Sequence, residues 1–331
     1  SSSLTGMRFG EDTDISPDGS SFVAAAPGDF ISSGNSARAG GAIYVFRRQS
    51  NGTWVQRARL TPTIPPFIEG LNAMRVAISA DGNTVVLGMP NYFHERLDEQ
   101  SGEVFVFRFN GTSWIRTRLA SGDRGRFGRW VAINDAGDTI ATPYGEQEFD
   151  DRPHRVAIYK LLNGAWQPVR GIADRAGHRE FCGDGVLSRD GSTVAETCTE
   201  QPPGTPEDRT YVRTHSGANW TVREDIELEI PGEGEPLLST SLAIDGTGNT
   251  IAAQMRQFPN FEFLGGLAEV QVFTRSGGSY AKAATFKPGS WRNPEDRALF
   301  GSGLAVSADG GRIAVGDVRD NGFGTGPRAA P

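Results

Sequence analysis

One short pattern constrains this chain more than any other: an alternating apolar run, an Asp-Gly-type turn, and a second apolar run. "VAISADGNTVVLGMP" (76–90) is the most regular copy, and relatives read "ISPDGSSFVAAAP", "INDAGDTIATP", "LSRDGSTVAET", "IDGTGNTIAAQ" and "VSADGGRIAVGD". Their turn glycines, Gly19, Gly82, Gly137, Gly191, Gly248 and Gly310, lie 54 to 63 residues apart. Alternation with period two belongs to strands, and Asp-Gly closes a tight hairpin. Self-similarity at such a period belongs to a repeat architecture.

A second pair of strands follows in five copies. "GAIYVF" (41–46), "GEVFVF" (102–107), "RVAIYK" (155–160), "RTYVRT" (209–214) and "AEVQVF" (268–273) each lead into a short polar turn and an aromatic: Trp54, Trp114, Trp166, Trp220 and Tyr280. Each repeat therefore reads as a four-stranded antiparallel meander, and the chain as all-β. A lone four-stranded sheet cannot bury both faces, whereas copies stacked around an axis bury each face against the next, as in a β-propeller. The aromatics are expected to fill the wider outer space between blades.

The expected organisation is one propeller domain over 1–331, with repeats near 7–63, 70–123, 124–176, 177–232 and 233–290 and an incomplete copy at 291–331. The opening "SSLTG" matches the fourth-strand ending "ARLTP" (58–62), so the N-terminal strand is expected to close the last blade. Six blades follow if the chain is complete, and seven if it has been trimmed. The start without Met or an apolar leader reads as a mature or trimmed end.

These residues and motifs resemble FG-GAP repeats, which build the N-terminal β-propeller of integrin α subunits. Phe-Gly is literal at Phe9-Gly10, Phe127-Gly128 and Phe300-Gly301, and Gly-x-Pro at Gly88-Met89-Pro90. The resemblance implies the propeller fold and a secreted or surface setting. Calcium-binding members carry Asp-x-Asn/Asp-x-Asp-Gly-x-x-Asp in the first turn, a shell of hard oxygens. Here Asp14 and Asp18 are followed by Phe22, Ala77 and Asp81 by Val85, and Ala305 and Asp309 by Ile313. The turns lack the ligand set, and no metal or other cofactor is expected.

Composition narrows the function classes. Net charge is −7 with a pI near 5.3, unlike a nucleic-acid footprint. No apolar run reaches a membrane span of about 20 residues. Asn51-Gly-Thr, Asn110-Gly-Thr and Asn219-Trp-Thr are glycosylation sequons in equivalent predicted turns, although Asn-Gly is also simply a good hairpin turn. Cys182 and Cys198 flank the turn 188–191, so a cross-strand disulfide is expected, with a free buried pair as the alternative. These features together point to an extracellular or cell-surface protein.

Ligand contacts are expected on the variable loops after each second strand, which should share one face. The candidates are Tyr92, His94, Asp98, Glu99, Glu146, Glu148, Asp150, Asp151 and His154, a mixture of acids, histidines and an aromatic ring. Such a face suits a glycan, a basic peptide or a cation; a solvated rim without a ligand is the plainer reading. No His-Glu-x-x-His, Gly-x-Ser-x-Gly or P-loop occurs, and no carboxylate pair is singled out by spacing. The reading is a non-catalytic recognition or adhesion module for glycan or extracellular protein. Alternatives are a structural subunit that self-assembles through the incomplete last blade, and a carbohydrate-active enzyme.

Overall fold

A computed structural model describes residues 7–33, 36–62, 73–94, 99–100, 102–119, 127–144, 155–173, 179–201, 209–217, 219–229, 235–237, 241–258, 267–287 and 300–317. Within them the chain is built of strands and turns, with no helix. Sheet 1 comprises Thr13–Ile15, Ser21–Ala26, Ala42–Arg48 and Trp54–Leu60, and sheet 2 Arg75–Ile78, Thr84–Met89, Glu103–Phe109 and Trp114–Leu119. Sheet 3 comprises Ala132–Ile133, Thr139–Tyr144, Arg155–Leu162 and Ala165–Ala173, and sheet 4 Arg179–Leu187, Thr193–Gln201, Arg209–Ser216 and Val222–Glu227. Sheet 5 contains Leu242–Ile244, Thr250–Phe258, Leu267–Ser276 and Ser279–Phe286, with Glu235–Leu237 added beside the second of these. Sheet 6 pairs Phe300–Val306 with Ile313–Asp317.

The alternation seen in the sequence becomes the contact between sheets. Val85 and Leu87 pack with Val23, Ile43 and Val45 of sheet 1, while Val86 turns the other way onto Ile140 and Tyr159 of sheet 3. The same division continues along the chain. Leu187 and Val194 meet Ala141 and Ile158, Ala195 and Val212 meet Ile251 and Met255, and Ala252 and Val270 meet Val306. Sheets 2 to 5 thus each bury one face against the sheet before and one against the sheet after. At roughly 25 cal/mol per Å² of apolar surface, stacking is the main stabilising term. This succession of sheets is a β-propeller.

Each hairpin between first and second strands is fastened in the same way. Ser16, Ser79, Ser188 and Ser307 each donate their hydroxyl to the turn aspartate at 2.6 to 2.7 Å and accept the N–H of the residue five positions on. Asn134 and Asp245 stand at the corresponding position in the other two turns, and each accepts backbone N–H groups there. Successive turns are also tied directly: Ala80 N donates to Asp135 O, Asp135 N to Arg189 O, Asp190 N to Gly246 O and Gly246 N to Ala308 O.

The outer aromatics behave unequally. Trp220 is buried, and Trp114, Trp166 and Tyr280 pack partly against the seams beside them. Trp54 belongs to sheet 1, which has no preceding sheet in sequence; it stays 43% exposed, edge-on to Phe22. The N-terminal closing strand expected at residues 1–6 lies outside the described residues.

Candidate functional site

The first strands of all six sheets line one cavity of about 460 Å³. Because each second strand runs antiparallel to the first, the loops after the second strands emerge at the end where the first strands begin. That end of the cavity is charged. Asp12 of sheet 1, Arg75 of sheet 2, Trp130 preceding sheet 3 and Asp184 of sheet 4 contribute to it. Deeper in, Asp14 stands level with Ala77, Ala132, Val186, Ala243 and Ala305, so one carboxylate interrupts an otherwise apolar ring.

Two of these acids bind sheet 1 to sheet 2. Asp12 Oδ2 accepts the N–H of Val76 and Asp14 Oδ2 the N–H of Ile78, both at 2.8 Å. These amides lie on the free edge of an inner strand and would otherwise lack a protein acceptor. Burial outweighs the help from these bonds: it raises the pKa of Asp12, and pushes that of Asp14 up to about 6.

Asp184 stands beside an irregularity. Leu187, Val186 and Gly185 pair with Val194, Ala195 and Glu196 in regular register, and then Cys182 pairs with Cys198, leaving Gly183 and Asp184 together opposite Thr197. Gly183 is the extra residue of this bulge, while Asp184, two positions before Val186, stands level with Asp12, Arg75 and Trp130 in the cavity wall. Burial raises its carboxyl pKa, and the charges of Arg75 and Arg129 pull it back only in part. Beside it the indole of Trp130 packs against Gly185: a Cβ there would fall 2.3 Å from Cε2 and Cζ2. At the opposite end, Arg189 and Asp135 approach to 4.0 Å.

The same bulge brings the cysteines face to face. Cys182 and Cys198 form a disulfide with Cα atoms 4.0 Å apart, fully buried beside Tyr211. Asn51, Asn110 and Asn219 are all exposed in turns between third and fourth strands.

The loop candidates separate into three groups. Tyr92 is 6% exposed and packs in the core with Met74, Met89 and Phe105, so it serves the scaffold and offers no open ring. His94 and Glu99 pair across a short ribbon, Phe93–His94 with Glu99–Gln100. Asp98, Glu146, Glu148, Asp150, Asp151 and His154 lie outside the described residues. In the first turn Asp14 points its carboxylate to Ile78, while Asp18 takes the Ser16 hydroxyl and the Ser20 N–H. Cys182, Glu196 and Cys198 are the one group of three potential metal ligands among the described residues, and both cysteines are in the disulfide.

No family model matches this chain, and no curated protein matches it. Solved structures do. They include hydrazine synthase from Kuenenia stuttgartiensis, at 12% identity over 93% of this chain and 95% of that one, TM-score 0.48. TolB from Acinetobacter baumannii matches at 12% identity over 83% of this chain and 55% of that one, TM-score 0.45, so the chain spans about half of TolB. The β-propeller domain of Swd1 from Myceliophteria thermophila matches at 9% identity over 92% and 96%, TM-score 0.41.

Proposed function

We propose that this chain is an extracellular, non-catalytic recognition module of FG-GAP type, which binds glycan or protein at the end of the channel where the first strands begin. The observation that carries this reading is the convergence there of Asp12, Arg75, Trp130 and Asp184, from the starts of four successive repeats, on one cavity. This mouth gathers polar groups from successive repeats on a rigid frame, as ligand sites do. The FG-GAP assignment is supported by the contact of the Phe-Gly glycine Gly128 with Gly88 of the Gly-x-Pro element. The disulfide and the three exposed sequon turns support the extracellular setting.

A glycan array and an extracellular-protein array, both probed with soluble protein, test this. Saturable binding that is lost on altering the channel mouth is the expected result. Absence of binding on both arrays, with light scattering showing self-assembly, would replace it with the structural-subunit reading. A second reading, turnover of a carbohydrate, is favoured by Asp12 and Asp184, two electrostatically coupled acids whose carboxyl pKa values are both raised. Turnover on a glycan panel that Asp184→Asn abolishes would establish it.

A further inference from the structure

We propose that the channel mouth binds a neutral saccharide, with the Asp184 carboxylate accepting from its hydroxyl groups and Arg75 and the Trp130 indole N–H donating to them. The inference rests on the recognition reading above and gives that site its ligand class.

The cavity volume, about 460 Å³, lies within the range of small-molecule sites. Its charges select against ions of either sign. At the mouth an anionic ligand would face Asp12 and Asp184, and a cationic one Arg75 and Arg129. A hydroxyl satisfies both sets, because it donates and accepts.

Hydrogen-bonding capacity is also left open there. Trp130 is 4% exposed, yet its Nε1–H has no acceptor among the described residues. That nitrogen is bonded to Cε2, the atom lying against Gly185, which puts the open donor beside the Asp184 segment. No hydrogen bond or ion pair within the described residues reaches the Asp184 carboxylate. Arg75 gives Nη1 to the carbonyl of Met74 at 3.3 Å, and its remaining N–H groups have no partner among the described residues. Only the indole N–H is fully buried, Asp184 and Arg75 being half-buried, and a hydroxyl ligand that completes such groups is preferred over one that lacks hydroxyls. By contrast, Asp12 and Asp14 are already engaged with Val76 and Ile78.

The test is a titration of the intact protein with a panel of neutral mono- to trisaccharides, alongside a sialylated and an amine-bearing sugar. Indole fluorescence and calorimetry would follow binding. Neutral sugars should bind, and Asp184→Ala and Arg75→Ala should each weaken them at least tenfold. Trp130→Phe, which keeps the ring but removes the N–H, should weaken them severalfold and abolish part of the fluorescence change. Asp184→Asn, with melting temperature measured beside it, separates loss of the acceptor from loss of fold. Neutral sugars that bind all variants equally would overturn the channel site and leave the recognition reading standing. Binding only of charged sugars would overturn the ligand class. If no sugar binds while a protein ligand does, the inference falls and the broader reading survives; if nothing binds on either array, both fall.

Discussion

Gly88 and Gly128 meet backbone to backbone across the seam between sheets 2 and 3. A Cβ on Gly88 would lie 2.3 Å from the carbonyl oxygen of Gly128, and a Cβ on Gly128 would lie 2.9 Å from Gly88 Cα. Gly128 also holds φ at +85°, where side chains are strained. Gly88→Ala should therefore cost about 2 to 3 kcal/mol by overpacking. Gly111, at φ +98° with nothing within 4 Å of its Cβ direction, is the control. Its alanine variant should lose only about 1 kcal/mol from backbone strain. Urea midpoints of the two variants check the contrast.

The disulfide closes a segment of 16 residues, for which chain entropy gives roughly 3 kcal/mol. A Cys182→Ala, Cys198→Ala double variant should fold with a melting temperature lowered by several degrees. Since both sulfurs are buried, reductant alone should leave the native bond intact until unfolding begins. Thiol labelling against denaturant concentration reads this directly.

Asp14 and His215 impose opposite pH slopes on stability. Burial raises Asp14 from 3.8 to about 6, so the folded state holds a proton that the unfolded state has released; stability falls as pH rises from about 4 to 6. Burial lowers His215 from 6.5 to about 4, so the unfolded state binds the extra proton, and stability falls as pH drops from about 6.5 to 4. Each effect is bounded by roughly 3 kcal/mol, and in the wild type they largely cancel. Asp14→Asn should expose the acid loss, and His215→Gln should leave stability rising as pH falls. Denaturant melts from pH 4 to 7 would show parallel curves if the assignment is wrong.

Arg213, only 2% exposed, donates through Nη2 to the Tyr211 hydroxyl at 2.7 Å and through Nε to Asp225 at 3.2 Å. It pairs in the ladder with Glu196 on one side and Asp225 on the other. Arg213→Met should cost about 3 kcal/mol, because buried Glu196 loses the neighbouring guanidinium while half-buried Asp225 keeps Arg223. Adding Glu196→Gln should recover part of that loss, which a double-mutant cycle measures.

Much of the fold was legible because two periods coincide in the chain: alternation within a strand and the recurrence of the Asp-Gly turn. Val85 and Val86 already say that both faces of their strand are buried. The polar site is less legible, since acids are most numerous in the variable loops and few on the first strands. Yet Asp14 could have been found by setting the six copies in register, where the other five carry Ala or Val. Tyr92 misled because an aromatic in a loop reads as a contact surface, although tertiary packing draws it inward. The same register sets Asp184 level with Asp12, Arg75 and Trp130, each four residues before Ser188, Ser16, Ser79 and Asn134. Neither alternation nor composition encodes the bulge at Gly183 beside it.

That change of register has a consequence for descent. Without Gly183, the first strand of sheet 4 would pair evenly, and Cys182 would still face Cys198. Asp184 would face Thr197 alone and, two residues before Val186, keep its place in the cavity wall. Loss of one codon could thus even out the ladder while the cross-link and the channel acid both passed on intact, so in descent the kink and the recognising groups are free to vary separately.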